Sequence, residues 1–559
     1  MSIAALICAA TALFLGGIGW GLPSVQVERF LFGSRPAWSG HQIFSLIDDG
    51  SRSSDRAADV SSNPLDRRTR AIEVNGSDGQ RARIIRRYRL MSYQPDEFTT
   101  FAALAQMKPG RGDLDPRMYK YGGLWVYPVG GLLKIASSAG WVRVTPDPAF
   151  YLDHPESFGR FYVVARVYSA LWGMMGAVAI FLLVRRISAN TVAALIAGLC
   201  FVSMPVVVTA AHEAKPHLAG AALTLMAVLA GGSFVVSGRK TWGLLTALLC
   251  GAAIGMVPSA IPAMLILPVM MLMRSGSRVR LVRDLAGYLL IVGLIYCVTN
   301  PYVAINLVRD RAVLRSNFSN SSDFYHASLG GLPNAALLVG LGTGAALGVV
   351  GMAGAIALGV RAARTGGTTP QEQARRAAGL LLVAATIPTG IVFAVYAARQ
   401  PADYGRFALP FNLFLLVEAI VAIATFVRPK AVRCVCFALL LFATAYPGVA
   451  YLRGFIRDSR EQTTRMIAAE KIRQSESDGA VLATREEPAP WSLPPVDLFR
   501  WKVVATPRDL PADQPFPGAR ITIGPTTTAS FSDLLHPGRS TPLSWASKPF
   551  HIEMNSRVP

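Results

Sequence analysis

Two adjacent carboxylates, Asp96 and Glu97, stand in the run Tyr93-Gln94-Pro95-Asp96-Glu97-Phe98, just ahead of the amphipathic stretch Phe98 to Met107. Pro95 before the pair suits a helix start, so Asp96 can serve as its cap. A carboxylate poised near a membrane surface can also take a proton from a hydroxyl, and the two roles are compatible. A second group follows in Asp115-Pro116-Arg117-Met118-Tyr119-Lys120-Tyr121-Gly122-Gly123-Leu124. Lys120 and Tyr121 there form either a snorkelling interfacial belt or a cation and an aromatic for a lipid-phosphate headgroup and its sugar. Arg160 and Arg166 come next, six residues apart, with Arg166 well inside an apolar stretch. A charge in that position needs a partner or a polar cavity. A loop carboxylate is one such partner and a donor phosphate is the other, since a guanidinium offers a planar fork of donors.

The six residues His212-Glu213-Ala214-Lys215-Pro216-His217 pack four ionisable groups into one short turn. His212 and His217 with Asp96 or Glu97 are possible ligands of a divalent metal; a solvated loop is the plainer reading. Asn300-Pro301-Tyr302 ends an apolar run before a long polar loop over 304–332, which contains Asn317, Asn320, Asp323, Tyr325 and His326, and Arg406 opens another apolar run. Glu418 lies inside an apolar run, where pairing with a neighbouring helix suffices to explain it. Three N-x-Ser sequons occur, at Asn75, Asn317 and Asn320, and chance readily produces them.

The elements that must position these groups are membrane spans. The 559 residues are 52% hydrophobic and only 16% charged, against about a quarter charged in a soluble domain. A spanning helix needs about 20 apolar residues. Blocks of this kind fall at 2–22, 160–184, 191–210, 217–237, 241–257, 259–273, 285–303, 333–360, 378–397, 407–427 and 434–452. The fold expected is mainly α: a polytopic bundle of about eleven transmembrane helices, with a long first extracytoplasmic loop over 23–159. The run 241–273 is one apolar block broken at Met256 to Ser259. The stretch Tyr121 to Val142 carries Lys134 and several glycines and reads as an interfacial or re-entrant helix. Residues 1–452 form the membrane domain in this division. Residues 453–559 form a small α/β extracytoplasmic domain, with strand-like segments at Gly479–Thr484 and Trp501–Thr506 between Pro-rich turns.

Arginine and lysine in the short loops set the orientation. Arg185 and Arg186, Arg239 and Lys240, Arg274 to Arg283, Arg361 to Arg376, and Arg428 to Arg433 fall in one set of loops. That set is assigned to the cytoplasm, with the N-terminus, so that Asp96, the His-rich turn and the tail face outward. The first helix is read as retained, because no basic segment precedes it and no clear cleavage site follows. A net charge of +21 invites a nucleic-acid reading. The basic residues cluster at the ends of apolar blocks and in the long loop, where topology and anionic lipid account for many of them, and no nucleic-acid motif appears. The cysteines, Cys8, Cys200, Cys250, Cys297, Cys434 and Cys436, all lie in or beside apolar blocks and read as small hydrophobes.

The order of these motifs resembles the GT-C superfamily of membrane glycosyltransferases. It runs from the acidic pair Asp96-Glu97 through Tyr121-Gly122, an arginine-led span ending in Arg185-Arg186, and the turn 212–217. It closes with Asn300-Pro301-Tyr302 and Arg406-Phe407-Ala408-Leu409-Pro410. The resemblance extends over about 1–452 and is nearest to bacterial relatives of protein O-mannosyltransferases and lipid A aminoarabinose transferases. It implies an integral protein of the bacterial plasma membrane that moves sugar by inversion from a polyprenyl-phosphate donor. The acceptor would be a protein, glycolipid or glycan hydroxyl. It implies Asp96 as general base with Glu97 supporting it, and Lys120, Arg160, Arg166 and Arg406 as donor-phosphate cations. Tyr121, His212, Lys215, His217 and Tyr302 would bind substrate, with Glu97 and His212 as metal candidates. The family often has an aspartate where this chain has His217, a departure that bears on acceptor and metal assignments. A transporter or flippase, and a non-catalytic assembly subunit, are the alternatives. Few mid-span charges and no repeated halves weigh against the transporter.

Overall fold

The computed structural model describes residues 2–54, 70–274, 277–322, 331–364, 369–397, 402–460, 463–475, 478–507, 510, 516–525, 529–536 and 541–554. The chain is mainly helical. Among the described residues seven helices are long and apolar enough to cross a membrane: Pro155–Ser188, His217–Ser237, Arg278–Thr299, Ala345–Arg364, Arg375–Val395, Tyr404–Phe426 and Lys430–Asp458. An eighth span is counted if Thr191–Ser203 and Pro205–Ala211, bent by 60° at their junction, form one crossing. The other expected spans correspond to shorter apolar helices, Ile3–Leu15, Lys240–Met256 and Pro258–Leu272. The block at 333–360 divides into Leu332–Thr343 and Ala345–Arg364 at Gly344, whose φ of +80° is left-handed and breaks the helical run.

Local sequence explains the breaks. Pro155–Ser188 stops at Ala189 in a left-handed conformation, and Asn190 then caps the next helix by accepting from the Ala193 N–H. Pro205, Pro258 and Pro301 each stand at the first position of a new helical segment, where a missing N–H costs nothing. The run 241–273 breaks where expected: Lys240–Met256 ends at Val257, and a 3₁₀ segment, Pro258–Leu265, follows. The helix Gly123–Ser138 forms within the stretch read as interfacial, and it is not among the candidate spans.

His217–Ser237 and Tyr404–Phe426 are the central helices, 83% and 78% buried over their apolar windows, whereas Arg278–Thr299 is only 6% buried. Close approach is needed where helix Lys430–Asp458 crosses the 203–205 break. Gly448 packs directly on the Ser203 carbonyl, with no room for a Cβ.

A second core lies beside the bundle. It joins Val27, Phe30, Leu31, Ile84 and Ile85 of the first loop to Met466, Leu482, Trp501, Val503 and Ile521 of the tail. A five-stranded sheet spans the same two segments: β1 (Ile72–Glu73), β2 (Val481–Thr484), β3 (Lys502–Ala505), β4 (Ile521–Pro525) and β5 (Phe550–Met554). The order is β1-β3-β2-β4-β5. β2 is parallel to β3 and β4, while β1 and β5 run antiparallel at the edges. β2 and β3 coincide with the strand-like segments of the sequence.

Asn75 fastens loop to tail. Its Nδ2 donates to the Leu498 and Trp501 carbonyls, and its Oδ1 accepts from the Val503 N–H, all at 2.8 Å. The sequon at Asn75 is therefore spent on structure, its amide buried and bonded. Asp323, Tyr325 and His326 lie outside the described residues. Asn75→Ala takes the side-chain partner from the Trp501 carbonyl and the Val503 N–H, while the Leu498 carbonyl keeps Arg81 Nε, at about 1–3 kcal/mol for each group left unsatisfied. Its thermal midpoint in detergent should fall clearly, with protease sensitivity rising in loop and tail together. A midpoint equal to wild type would contradict the shared core.

Candidate functional site

The acidic pair divides its work between two environments. Pro95–Glu97 is a single 3₁₀ turn, capped by Gln94 whose side chain accepts from the Asp96 N–H. The cap is therefore Gln94, and Asp96 sits inside the turn. A turn of this pitch sends neighbouring side chains in different directions. Glu97 points into the bundle and is fully buried against Arg166, itself fully buried. The contact is two-pronged, Arg166 Nε to Oε1 at 2.8 Å and Nη2 to Oε2 at 2.7 Å. Ser92 Oγ donates to Oε2 at 2.6 Å and the Ala214 N–H to Oε1 at 2.7 Å. Arg166 Nη1 donates to the Ile18 and Trp20 carbonyls.

Asp96 keeps a side chain 38% exposed. Its Oδ2 lies 3.1 Å from Lys215 Nζ and 2.9 Å from Arg406 Nη2. Lys215 is also 3.3 Å from Glu213 Oε2, and Gln94 Nε2 donates to Glu213 Oε1 at 2.8 Å. Desolvation alone would raise the Asp96 pKa; Lys215 and Arg406 more than offset it and hold the carboxyl well below the usual range. Burial pushes the Glu213 carboxyl up, partly countered by Lys215.

Asp96 and Arg406 border a cavity of about 510 Å³, within the range of small-ligand sites. Asp96, Lys120, Tyr121, His217 and Arg406 form its polar end. Tyr121 and Phe407 stand edge-on to His217 at 6.2 and 5.2 Å, and Arg406 lies over the Tyr404 and Phe407 rings. The 3₁₀ segment, from Pro258 to Ala263, and Thr389, Val392 and Phe393 supply an apolar extension. One end is thus charged and aromatic and the other oily.

Six of the expected residues, Asp96, Lys120, Tyr121, Lys215, His217 and Arg406, converge here. Five do not, and each has a physical reason. Arg166 is committed to Glu97 and two carbonyls. Arg160 is exposed and donates to the Trp141 carbonyl at 2.8 Å; it lines a separate cavity of about 270 Å³ with Tyr93 and Arg465. Tyr302 accepts from the Leu114 N–H at 2.8 Å and lies off the cavity wall. His212 stacks on Phe455 at 4.3 Å, with its ring nitrogens 2.8 Å from the Val208 and Gly16 carbonyls. Glu97 supports the site from behind instead of lining it.

The metal candidates do not fit a metal. Glu97 is saturated by Arg166, Ser92 and Ala214, and the His212 nitrogens face carbonyls. No group of three or more His, Cys, Asp or Glu side chains is arranged to hold an ion among the described residues. Sequence reasoning left Gln94, Glu213, Tyr404 and Phe407 unassigned. Glu213 and Phe407 stood inside motifs already singled out, and their neighbours were the signal.

A membrane bundle, a carboxylate beside two cations and an aromatic, apolar-tailed cavity suit a membrane glycosyltransferase. Residues 158–302, which hold Arg166, the 212–217 turn and Asn300 to Tyr302, match the family of dolichyl-phosphate-mannose-protein mannosyltransferases. The likeness to that family is confined to those residues. No curated protein matches the chain. Among solved structures, the oligosaccharyltransferase AglB from Archaeoglobus fulgidus, in complex with an inhibitory peptide and a dolichol-phosphate, is 12% identical. That alignment covers 92% of this chain and 75% of AglB at a TM-score of 0.39. ArnT from Cupriavidus metallidurans bound to undecaprenyl phosphate is 16% identical, covering 67% of this chain and 70% of its own at 0.37. These superpositions are loose.

Removing one partner of a buried ion pair typically costs about 3–5 kcal/mol. Arg166→Met should therefore lose most monodisperse protein in detergent, and pairing it with Glu97→Gln should recover part. Arg166→Met as stable as wild type would show that the pair is no anchor.

Proposed function

We propose that the protein is an inverting glycosyltransferase that moves a sugar from a polyprenyl-phosphate donor to an acceptor hydroxyl at the outer face of the membrane. The observation that carries this reading is Asp96. Of the carboxylates Asp96, Glu97 and Glu213 it is the one open to the cavity, Glu97 and Glu213 being almost wholly buried. It shares that opening with cations suited to a phosphate.

In this mechanism the donor phosphate takes up Arg406, Lys120 and Lys215, and the prenyl chain follows the apolar extension. A carboxylate held by two cations is a weak base. An incoming phosphate competes for the same cations and returns basicity to Asp96. Asp96 then accepts the acceptor's O–H proton as the oxygen attacks the anomeric carbon. The bond from that carbon to the phosphate oxygen breaks, and polyprenyl phosphate leaves with its charge held by the same cations. Tyr121, His217, Tyr404 and Phe407 wall the sugar. The acceptor is a protein, glycolipid or glycan hydroxyl.

The topology that accompanies this reading has eleven spans. The three short apolar helices complete the eight crossings counted by length and composition. The N-terminus is cytoplasmic, and the first loop (23–159) and tail (453–559) lie outside a bacterial plasma membrane. The positive-inside pattern of the short loops supports that orientation.

Membranes carrying the protein are to be incubated with radiolabelled polyprenyl-phosphate sugars, with label followed into any acceptor. Asp96→Asn at matched expression should lower transfer by about 10²–10⁴-fold, the usual worth of a general base. Full transfer by Asp96→Asn would defeat the mechanism. The pH profile follows from the same pairing. Asp96 must be ionised to act, and its depressed pKa keeps it ionised to low pH, so activity is lost only as pH falls through that low value. Arg406→Gln removes one depressing charge and should move the acid limb of kcat/KM to higher pH. A limb that stays or moves lower would contradict the pairing.

A further inference from the structure

We infer that the tail, residues 463–554, is a clamp that sets the distance between Asp96 and Arg406, with Arg465 and Leu543 as its positioning residues. The inference rests on reading Asp96 and Arg406 as the reacting site, and it gives the tail a role in that site.

Asp96 and Arg406 stand 310 residues apart, on separate elements, and the tail touches both. On the Asp96 side the contact is Tyr93, three residues upstream. Its hydroxyl is 3.0 Å from Thr463 Oγ1, and the Arg465 guanidinium lies 4.1 Å from its ring centroid. Arg465 is itself fixed by the Pro490 and Trp545 carbonyls and by Asp458 at 3.4 Å. On the Arg406 side the contact is Gly405, next in the chain. A Cβ built on Gly405 would fall 2.7 Å from Leu543 Cδ2, so the two are in close contact. Leu543 is 3% exposed, and its N–H donates to the Tyr451 hydroxyl.

One tight segment joins the two contacts. Within 541–548, Thr541 Oγ1 donates to the Ala546 carbonyl. The Ser547 N–H and hydroxyl both donate to Asp458, at 2.6 and 3.1 Å. Ser547 adopts φ of +51°, a left-handed state that a non-glycine residue holds only where its surroundings over-determine it. Asp458 receives both Arg465 and Ser547, so it is the pivot of the clamp. Its own carbonyl accepts from the Gly21 N–H, and the Gly21 carbonyl accepts from the Tyr93 N–H. Leu543, Asp458, Arg465 and Tyr93 thus form a continuous path between the two halves of the ion pair.

The test uses the full-length protein in nanodiscs and has two readouts. The first is hydrogen exchange, which reports local opening without reference to activity. Leu543→Ala should raise exchange several-fold in peptides over 402–408, and Arg465→Lys should do so over 91–97. Peptides from 217–237 should keep wild-type protection, and Leu543→Met should restore it at 402–408. Unchanged exchange at both segments would overturn the clamp, whether or not any sugar is transferred. The second readout is a double-mutant cycle on donor kcat/KM. Leu543→Ala should cost about tenfold in the wild-type background and less than about twofold in Arg406→Lys, because it acts through Arg406. Equal costs in both backgrounds would overturn the positioning role. A wild-type protein that transfers nothing would defeat the functional reading alone, leaving exchange to decide the clamp.

Discussion

Much of this structure depends on one buried ion pair, Glu97 with Arg166. Two charges taken fully out of water are costly, and only close geometry with every remaining donor and acceptor filled makes the arrangement stable. Here the carboxylate accepts from the guanidinium twice and from Ser92 and Ala214, while the guanidinium also reaches two carbonyls of the 18–20 segment. Four stretches of chain meet at that point: the 18–20 segment after the first helix, the 92–97 turn, helix Pro155–Ser188 and the 212–217 turn. With Glu97 fixed inward, the short 3₁₀ turn leaves Asp96 facing the cavity. Lys215, next in the chain to Ala214, is brought opposite it.

The electrostatic outcome is an anion site with a carboxylate in it. Lys120 and Arg406 line a cavity whose open carboxylate is Asp96, and the buried Lys215 contacts that carboxylate. On the proposed reading, a donor phosphate and Asp96 compete for the same cations. The competition ties leaving-group stabilisation to the release of the base, so two requirements of transfer are met by one set of side chains. The apolar extension gives a place to the part of such a donor that water rejects.

The seven long apolar helices were legible in sequence because a membrane imposes a length and an apolar composition on each crossing. The break in 241–273 was legible for the same reason, since one run was too long for a single helix. Asp96, Lys215, His217 and Arg406 were legible as ionisable groups gathered at helix ends. What sequence withheld was pairing. Nothing in the dipeptide Asp96-Glu97 says which carboxylate turns inward, and Arg166 reads equally as a phosphate ligand or a structural cation. Arg160 and His212 stood in motifs beside the site, yet Arg160 reaches the Trp141 carbonyl and His212 the Val208 and Gly16 carbonyls. The shared core of loop and tail was hidden too, because β1 pairs with a strand more than 400 residues away.

The central claim is that the cations on Asp96 are a phosphate site that the carboxylate occupies until donor arrives. The direct measurement is the affinity of purified protein in nanodiscs for polyprenyl phosphate, the product, comparing wild type with Asp96→Asn. The account predicts that Asp96→Asn binds as tightly as wild type or more tightly, because its competitor for Lys215 and Arg406 is gone. Binding lost in Asp96→Asn would contradict it.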